Sequence, residues 1–278
     1  MTANGLGLGA LILWAFLALL STLAAGLPPL QLTAMSFAVG AAFGLALLQA
    51  RGAWGALRQP PLAWAHGVGG LFGYHALYFA ALAYAPAVEA NLLNYLWPLL
   101  IVLFSAPLLG LRLGPRRLCG VALGFVGCAL LLGGGARFPA EAWFGFLCAL
   151  GCALVWSLYS VTSRRFTAVP TEAVAGFCAA SACMALLAHL ALEPSVMPDT
   201  RQALAVLLLG LGPMGAAFFL WDRGMKQGDP RLLGTLAYAV PVVSTLLLIA
   251  AGEGVFTWNV ALALAAVAGG GWLAATAR

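Results

Sequence analysis

The 278-residue chain is 63% hydrophobic and 8% charged, with a mean hydropathy of +1.01 and a net charge of +5. A soluble domain carries about 25% charged residues, so this composition is that of an integral membrane protein. The cations fall between apolar segments rather than on one basic face, which excludes nucleic acid as a partner, and there is no phosphate loop or zincin-type histidine pair to support an enzyme.

Apolar runs of about 20 residues cross a bilayer as helices. Ten are predicted, at 5–25, 31–50, 61–84, 87–107, 116–133, 142–163, 171–191, 202–222, 230–251 and 258–276. The first ends in Leu23-Ala24-Ala25-Gly26, like a cleavable signal, but lacks a basic leader. Its Gly9…Trp14 pattern recurs as Gly151…Trp156, so it is expected to stay in the fold. Punctuation falls at Pro28-Pro29, Pro60-Pro61, Pro86, Gly114-Pro115, Gly133-Gly134-Gly135, Pro170, Pro194, Asp229-Pro230 and Gly252. Spacings such as Gly40/Gly44, Gly69/Gly73 and Gly120/Gly124 predict close helix packing within the chain. The cysteines (Cys119, Cys128, Cys148, Cys152, Cys178 and Cys183) lie in apolar runs without metal-binding spacing and read as packing residues. No metal or cofactor is expected.

Polar and aromatic residues gather in particular spans. Trp14 lies in the first; Tyr74, His75, Tyr78 and Phe79 share a face of the third; Asn91, Asn94, Tyr95, Trp97 and Pro98 follow in the fourth. In the second half come Trp156, Tyr159, Ser160 and Ser163, then Phe218, Trp221 and Asp222, then Thr235, Tyr238, Pro241 and Thr245. Spans two, five, seven and ten are nearly bare of such groups, as lipid-facing helices would be. Trp54, Trp64, Trp143 and Trp258, near span ends, read as interfacial anchors. His75 is the histidine nearest a span centre, where an ionisable residue suggests function. It reads as either a neutral hydrogen-bonding group or a proton relay, and Glu89 reads as a helix cap.

Ala90–Pro98 is echoed by Leu233–Pro241, with Tyr95 on Tyr238 and Pro98 on Pro241, each pair 143 residues apart. The repeat divides the chain into halves 1–135 and 136–278, each of five helices. Five is odd, so the halves enter the membrane in opposite senses. The predicted fold is all-α, with ten transmembrane helices arranged as two inverted repeats around a central cavity. Eleven Lys and Arg fall on one side and only Arg137 and Arg201 on the other, which places both termini in the cytoplasm. The candidate substrate contacts are His75, Tyr78, Asn91, Asn94, Tyr95, Trp97, Trp156, Tyr159 and Tyr238, with Pro98 and Pro241 as hinges or gates. Asn91 is replaced by Gly234 and Trp97 by Val240 in the second copy, so the first half is expected to carry more of the binding chemistry.

The run Ala83-Tyr84-Ala85-Pro86-Ala87-Val88-Glu89-Ala90-Asn91-Leu92-Leu93, followed by Tyr95, Trp97-Pro98 and the Gly120/Gly124/Gly127 helix, resembles the EamA-type module of the drug/metabolite transporter superfamily. Two such modules cover nearly the whole chain. His75, Tyr78, Tyr95, Trp97 and Trp156 most resemble the YddG branch of bacterial aromatic amino acid exporters. The resemblance implies an inner-membrane exporter of amino acids or related metabolites with aromatic or bulky apolar side chains, and the glycine spacings, read as packing within the chain rather than dimerisation, predict a monomer. Tyr78, Tyr95, Trp97 and Trp156 would stack on the side chain, and His75, Asn91, Asn94 and Tyr238 would hold the zwitterionic end. Alternatives are a carrier of purines, sugar derivatives or polyamines, or a non-transporting sensor or assembly protein. Where such modules carry Gly-Glu-Arg, the first half has Gly110-Leu111-Arg112, while the second keeps Gly252-Glu253. Span one lacks the acid that small multidrug members use for cation exchange.

Overall fold

Helices form where the apolar runs predict them, but four of the ten spans are interrupted in mid-membrane. The computed structural model describes residues 2–132, 139–252 and 255–277. Gly133-Gly134-Gly135, the boundary at 135/136, Arg137, Glu253 and Arg278 lie outside these residues.

Span one is α1 (Ala3–Ala15) and α2 (Leu17–Leu23), span two α3 (Pro29–Arg51) and span three α4 (Pro61–Tyr84). Span four divides into α5 (Ala87–Asn94) and α6 (Trp97–Leu109), and span five is α7 (Pro115–Leu132). In the second half α8 (Trp143–Thr162) and α9 (Val174–Leu192) form spans six and seven. Span eight runs through α10 (Thr200–Leu211), a π-helical turn at Gly212–Ala216 and α11 (Ala217–Gln227). Span nine is α12 (Pro230–Leu236) and α13 (Ala239–Ala250), and span ten α14 (Trp258–Thr276). Prolines open α3, α4, α7 and α12, where a missing N–H costs nothing. Left-handed Gly52 and Gly110 close α3 and α6. Eight spans are apolar enough to cross a membrane on composition alone. The other two are α4, which carries His66, Tyr74, His75 and Tyr78, and α7, which begins with Arg116 and Arg117.

The interruptions differ from simple proline kinks. In spans four and nine the helix ends before the proline, at Tyr95–Leu96 and Ala237–Tyr238, so Pro98 and Pro241 sit in the first turn of a new helix. Span one breaks at Phe16 without proline or glycine. Broken backbone at membrane depth is tolerated only where it is buried in protein or lines a cavity.

Each span finds its principal neighbour in the other half: two against seven, five against ten, three against six, one against eight, and four and nine between them. The pairs run antiparallel. Along spans three and six, Gly70 meets Tyr159, Cys152 donates to the Tyr74 carbonyl, and Gly145 meets Ala85. Along five and ten, Gly120 lies against the Gly270 carbonyl and Gly127 against Ala263 and Ala266. Gly40 and Gly44 pack against span eight and Ala175, as expected of close contacts. Gly69 and Gly73 do not: nothing lies within 4 Å of a Cβ at Gly69, and Gly67 and Gly70 make the close approaches instead. Lipid-facing positions stay apolar, as at Leu187, Leu190, Trp258 and Trp272. Trp64, expected as an interfacial anchor, instead packs on Phe177 of span seven, with ring centroids 5.3 Å apart.

The two ends of the molecule differ. At the arginine-rich end Asp229 pairs with Arg117 (3.1 Å) and Arg231 (3.0 Å), and its backbone N–H donates to Asn4 Oδ1. Arg231 also donates to the Arg112 carbonyl, Arg164 to that of Gly228, and Arg165 to that of Leu108. These bonds join spans one, four, five, six, eight and nine. Between the same spans α12 packs on α6, whereas among the described residues their counterparts at the opposite end, α13 and α5, make no comparable contact. The molecule is latched at the arginine end, whereas at the other end α5 and α13 are parted while Glu193, Gln31 and Gln202 still tie spans one, two, seven and eight together.

Two outcomes follow. A Cβ on Gly120 would lie 2.7 Å from the Gly270 carbonyl. Gly120→Val should therefore destabilise the protein by about 1–3 kcal/mol, read as a lower Tm in detergent; an unchanged Tm would show that spans five and ten part freely. Burial pushes the Asp229 carboxyl up, but the Arg231 hydrogen bonds and the Arg117 and Arg231 charges outweigh it and hold the pKa below its ordinary value. A lowered folded pKa means that the latch is complete above the ordinary carboxylate pKa of about 3.9 and is lost as pH falls through the folded value. Asp229→Asn should flatten this acid limb of the stability profile; an identical limb in the variant would place the titration elsewhere.

Candidate functional site

Inward-facing aromatic residues from both halves converge at mid-depth because their helices cross there. Trp14, at the end of α1, meets Trp156 of α8 at 5.5 Å and Trp221 of α11 at 5.1 Å. Trp97, in the first turn of α6, lies 6.4 Å from Trp156 and 6.1 Å from Trp221, edge to face with both. Trp97, Trp156 and Trp221 are nearly sealed, at 5%, 4% and 1% exposure. Trp221 donates its indole N–H to Ser160 Oγ, and Trp14 donates to the Pro213 carbonyl in the π turn. No protein acceptor engages the indole N–H of Trp97 or Trp156 among the described residues.

Above this floor lies a second tier that keeps partial exposure: Tyr74, His75, Tyr78 and Phe79 on α4 and Asn91 on α5. Phe37 of α3 and Phe218 of α11 stack on each other at 5.7 Å and both meet the His75 ring. Tyr74 and Tyr78 lie parallel, one turn apart, at 6.1 Å. Tyr78 donates to Asn91 Oδ1 at 2.8 Å, and Asn94 Nδ2 donates to the Tyr74 hydroxyl at 3.1 Å. His75 Nδ1 lies 2.7 Å from the Leu71 carbonyl. A carbonyl only accepts, so Nδ1 carries the proton and Nε2 of the neutral ring is an acceptor. The tier offers aryl faces for an apolar group, faces that also attract an ammonium, and acceptors and donors on His75, Tyr78 and Asn91.

The candidate residues do not all meet. His75, Tyr78, Asn91, Asn94, Trp97 and Trp156 come together. Tyr159 lies one layer towards the arginine end, tilted under Trp156 at 5.3 Å and packed on His66. Tyr238 stands apart from the cluster: it is fully buried against Gly124 and Phe125, in a core formed by spans four, five, nine and ten. Tyr95 leans on that same core but also lies near Tyr78 and Tyr74 of the tier. The two repeat tyrosines therefore share a packing seam rather than facing each other across the aromatic site. Trp14, Tyr74, Phe218 and Trp221 were visible as stripe members but not as contacts. Phe37 left no signal, because span two reads as bare, and only tertiary packing brings it beside His75.

Away from this site, a cleft of about 380 Å³ opens at the arginine end between Thr2, Asn4, Leu111, Arg164, Asp229 and Arg231. It is separated from the aromatic floor by the ionic latch. Closer in, Asp222 and Lys226 form a buried pair at 2.9 Å, with Thr171 donating to Asp222 and Lys226 donating to the Val169 carbonyl. Both charges are matched, and these hydrogen bonds stay within the second half, so they hold the start of span seven to span eight.

Comparison with known proteins gives this geometry a context. The model of the EamA-like transporter family matches residues 1–133 and again 143–276. The aromatic amino acid exporter YddG of Ancylobacter novellus is 52% identical over 97% of this chain and 95% of its own length. YddG of Salmonella typhimurium is 26% identical over 88% of this chain and 87% of its own, and a probable terminal-alkyne amino-acid exporter of Streptantibioticus cattleyicolor is 26% identical over 79% and 73%. A solved crystal structure superposes with a TM-score of 0.95 at 51% identity, covering 99% of this chain and 96% of that one. The paired match, the two antiparallel sets of five spans and the near-complete superposition agree: this chain is a multi-pass membrane protein that belongs to the EamA-like transporter family.

Proposed function

We propose that this protein exports amino acids with aromatic or bulky apolar side chains across the bacterial inner membrane, working as a monomer with both termini in the cytoplasm. The single observation that carries the reading is the aromatic tier above the tryptophan floor: stacking faces beside a small set of polar groups, all of which keep partial exposure. That arrangement suits a zwitterion with a flat side chain. The arginine-rich end is the cytoplasmic one by the positive-inside rule, so the parted end faces outward. The glycine-lined helix faces are used within the chain, which leaves a monomer as the simplest working unit.

Halves 1–135 and 136–278 rock about the breaks beside Pro98 and Pro241. Rocking exposes the site alternately, because each half can take the other's conformation. The substrate side chain stacks on Trp97, Trp156, Tyr78 and Tyr74. Its ammonium meets the His75 Nε2 lone pair and Asn91, and its carboxylate takes the Trp97 and Trp156 N–H groups. Asn94 holds Tyr74 in place, Tyr159 supports Trp156 from below, and Tyr95 and Tyr238 line the seam along which span nine slides on span five.

In liposomes, phenylalanine and tryptophan should move faster than through empty vesicles. Trp156→Ala removes stacking contacts worth about 0.5–1.5 kcal/mol each and should slow flux roughly tenfold while the protein still elutes as one species. Flux no faster than the empty-vesicle rate would end the substrate proposal. His75 works here as a neutral acceptor, so His75→Gln, which keeps a neutral polar side chain, should retain most of the flux, and an imposed pH gradient should not drive it. Gradient-driven flux that His75→Gln abolishes would make His75 a proton relay instead.

A further inference from the structure

The contact that closes the arginine end is built on a missing side chain. Gly234 of α12 lies so close to α6 that a Cβ there would sit 3.0 Å from the Pro98 carbonyl, 3.0 Å from Ile101 Cγ2 and 3.1 Å from Val102 Cγ2. The seal is dry: glycine against isoleucine and valine.

Carrying each of these positions into the other half by the 143-residue offset of Tyr95/Tyr238 and Pro98/Pro241 changes its chemistry completely. Gly234 becomes Asn91, Ile101 becomes Ser244, and Val102 becomes Thr245, while the proline is kept. Three apolar positions become polar together. Bulk is also exchanged across the contact: a glycine faces an isoleucine at one end, and an asparagine faces a serine at the other. The second contact is thus size-matched and polar-matched, although its two sides are parted in this structure, where α5 and α13 make no packing comparable to α12 on α6. Here Asn91 accepts from Tyr78, and the Thr245 hydroxyl donates to the Pro241 carbonyl of its own helix.

Resting on the alternating-access reading above, we propose that Asn91, Ser244 and Thr245 form a polar latch that seals the end opposite the arginines when the halves exchange conformations. Asn91 then brings its amide to the Pro241 carbonyl and the Ser244 and Thr245 hydroxyls, the counterparts of the atoms that Gly234 abuts. A buried amide left without those partners costs its desolvation, so this end closes only when the three residues meet. The arginine end, sealed by glycine packing and ionic bonds, has no such condition.

The test uses spin labels at Tyr84→Cys and Ala251→Cys, both exposed at the parted end, in a variant with the native cysteines replaced by alanine, in lipid nanodiscs with phenylalanine. Pulsed dipolar distances should show a long and a short population. Asn91→Ala should reduce the short population about fivefold, the factor for losing about one net hydrogen bond. The triple variant Asn91→Gly, Ser244→Ile, Thr245→Val rebuilds the dry chemistry of the arginine end and should restore the short population to within about twofold of the parent. A short population unchanged by Asn91→Ala overturns the latch, as does a triple variant no better than Asn91→Gly alone. If the parent never shows a short population, rocking itself fails, and the latch with it. Failure of phenylalanine flux alongside a normal short population removes only the substrate assignment.

Discussion

In this fold the lateral support of nearly every helix comes from the opposite half. Span two leans on seven, three on six, one on eight and five on ten, always antiparallel, so the halves are interleaved rather than placed side by side. Lipid tails are as apolar as leucine and give no hydrophobic drive between helices; association depends on close packing and buried polar contacts. The glycines supply the first, at Gly120 against Gly270 and Gly70 against Tyr159. The second appears in bonds such as Cys152 to the Tyr74 carbonyl and Trp221 to Ser160. Because this packing crosses between halves, the site at the crossing is shared, and no change in one half leaves the other undisturbed.

Interrupted helices can exist in such a membrane only inside that shared region. The breaks in spans one, four, eight and nine lie at mid-depth, and the tryptophan cluster forms where the chains give way. The π turn at Gly212–Ala216 presents the Pro213 carbonyl to the Trp14 indole, so the backbone irregularity and the aromatic floor are mutually dependent. Spans two and seven, unbroken, flank this region; Glu193 accepts the backbone N–H groups of Leu30 and Gln31 together with His189 Nδ1, and so ties their ends on the side opposite the arginines.

Much of this was legible in the sequence because bilayer constraints are one-dimensional. Span number follows from apolar length, and antiparallel halves follow from an odd helix count with a matching Tyr-x-x-Pro. The aromatic stripes on spans three, four and six were visible because helical period alone puts Tyr74 and Tyr78, or Trp156 and Tyr159, on one face. What could not be read was which stripes meet. Tyr238 carries the same signature as Tyr95, yet Gly124 draws it into a separate core; Phe37 sits in a span without an aromatic stripe, yet touches His75. The break at Phe16 has no proline or glycine to announce it. Pro213, flanked by Gly212 and Gly215, was the one available sign of the π turn.

That turn also lies within a part of the repeat where the two halves differ in length. Trp14 and Trp156 are 142 residues apart, whereas Tyr95 and Tyr238 are 143 apart. A π turn winds one more residue into a helix than the α-helical turn it replaces, and span eight lies between those two markers in the second half. Its counterpart, span three, runs unbroken from Pro61 to Tyr84. The π turn frees a carbonyl for Trp14, and Trp156 has no such acceptor among the described residues, so the two repeats present unequal walls to whatever lies between them.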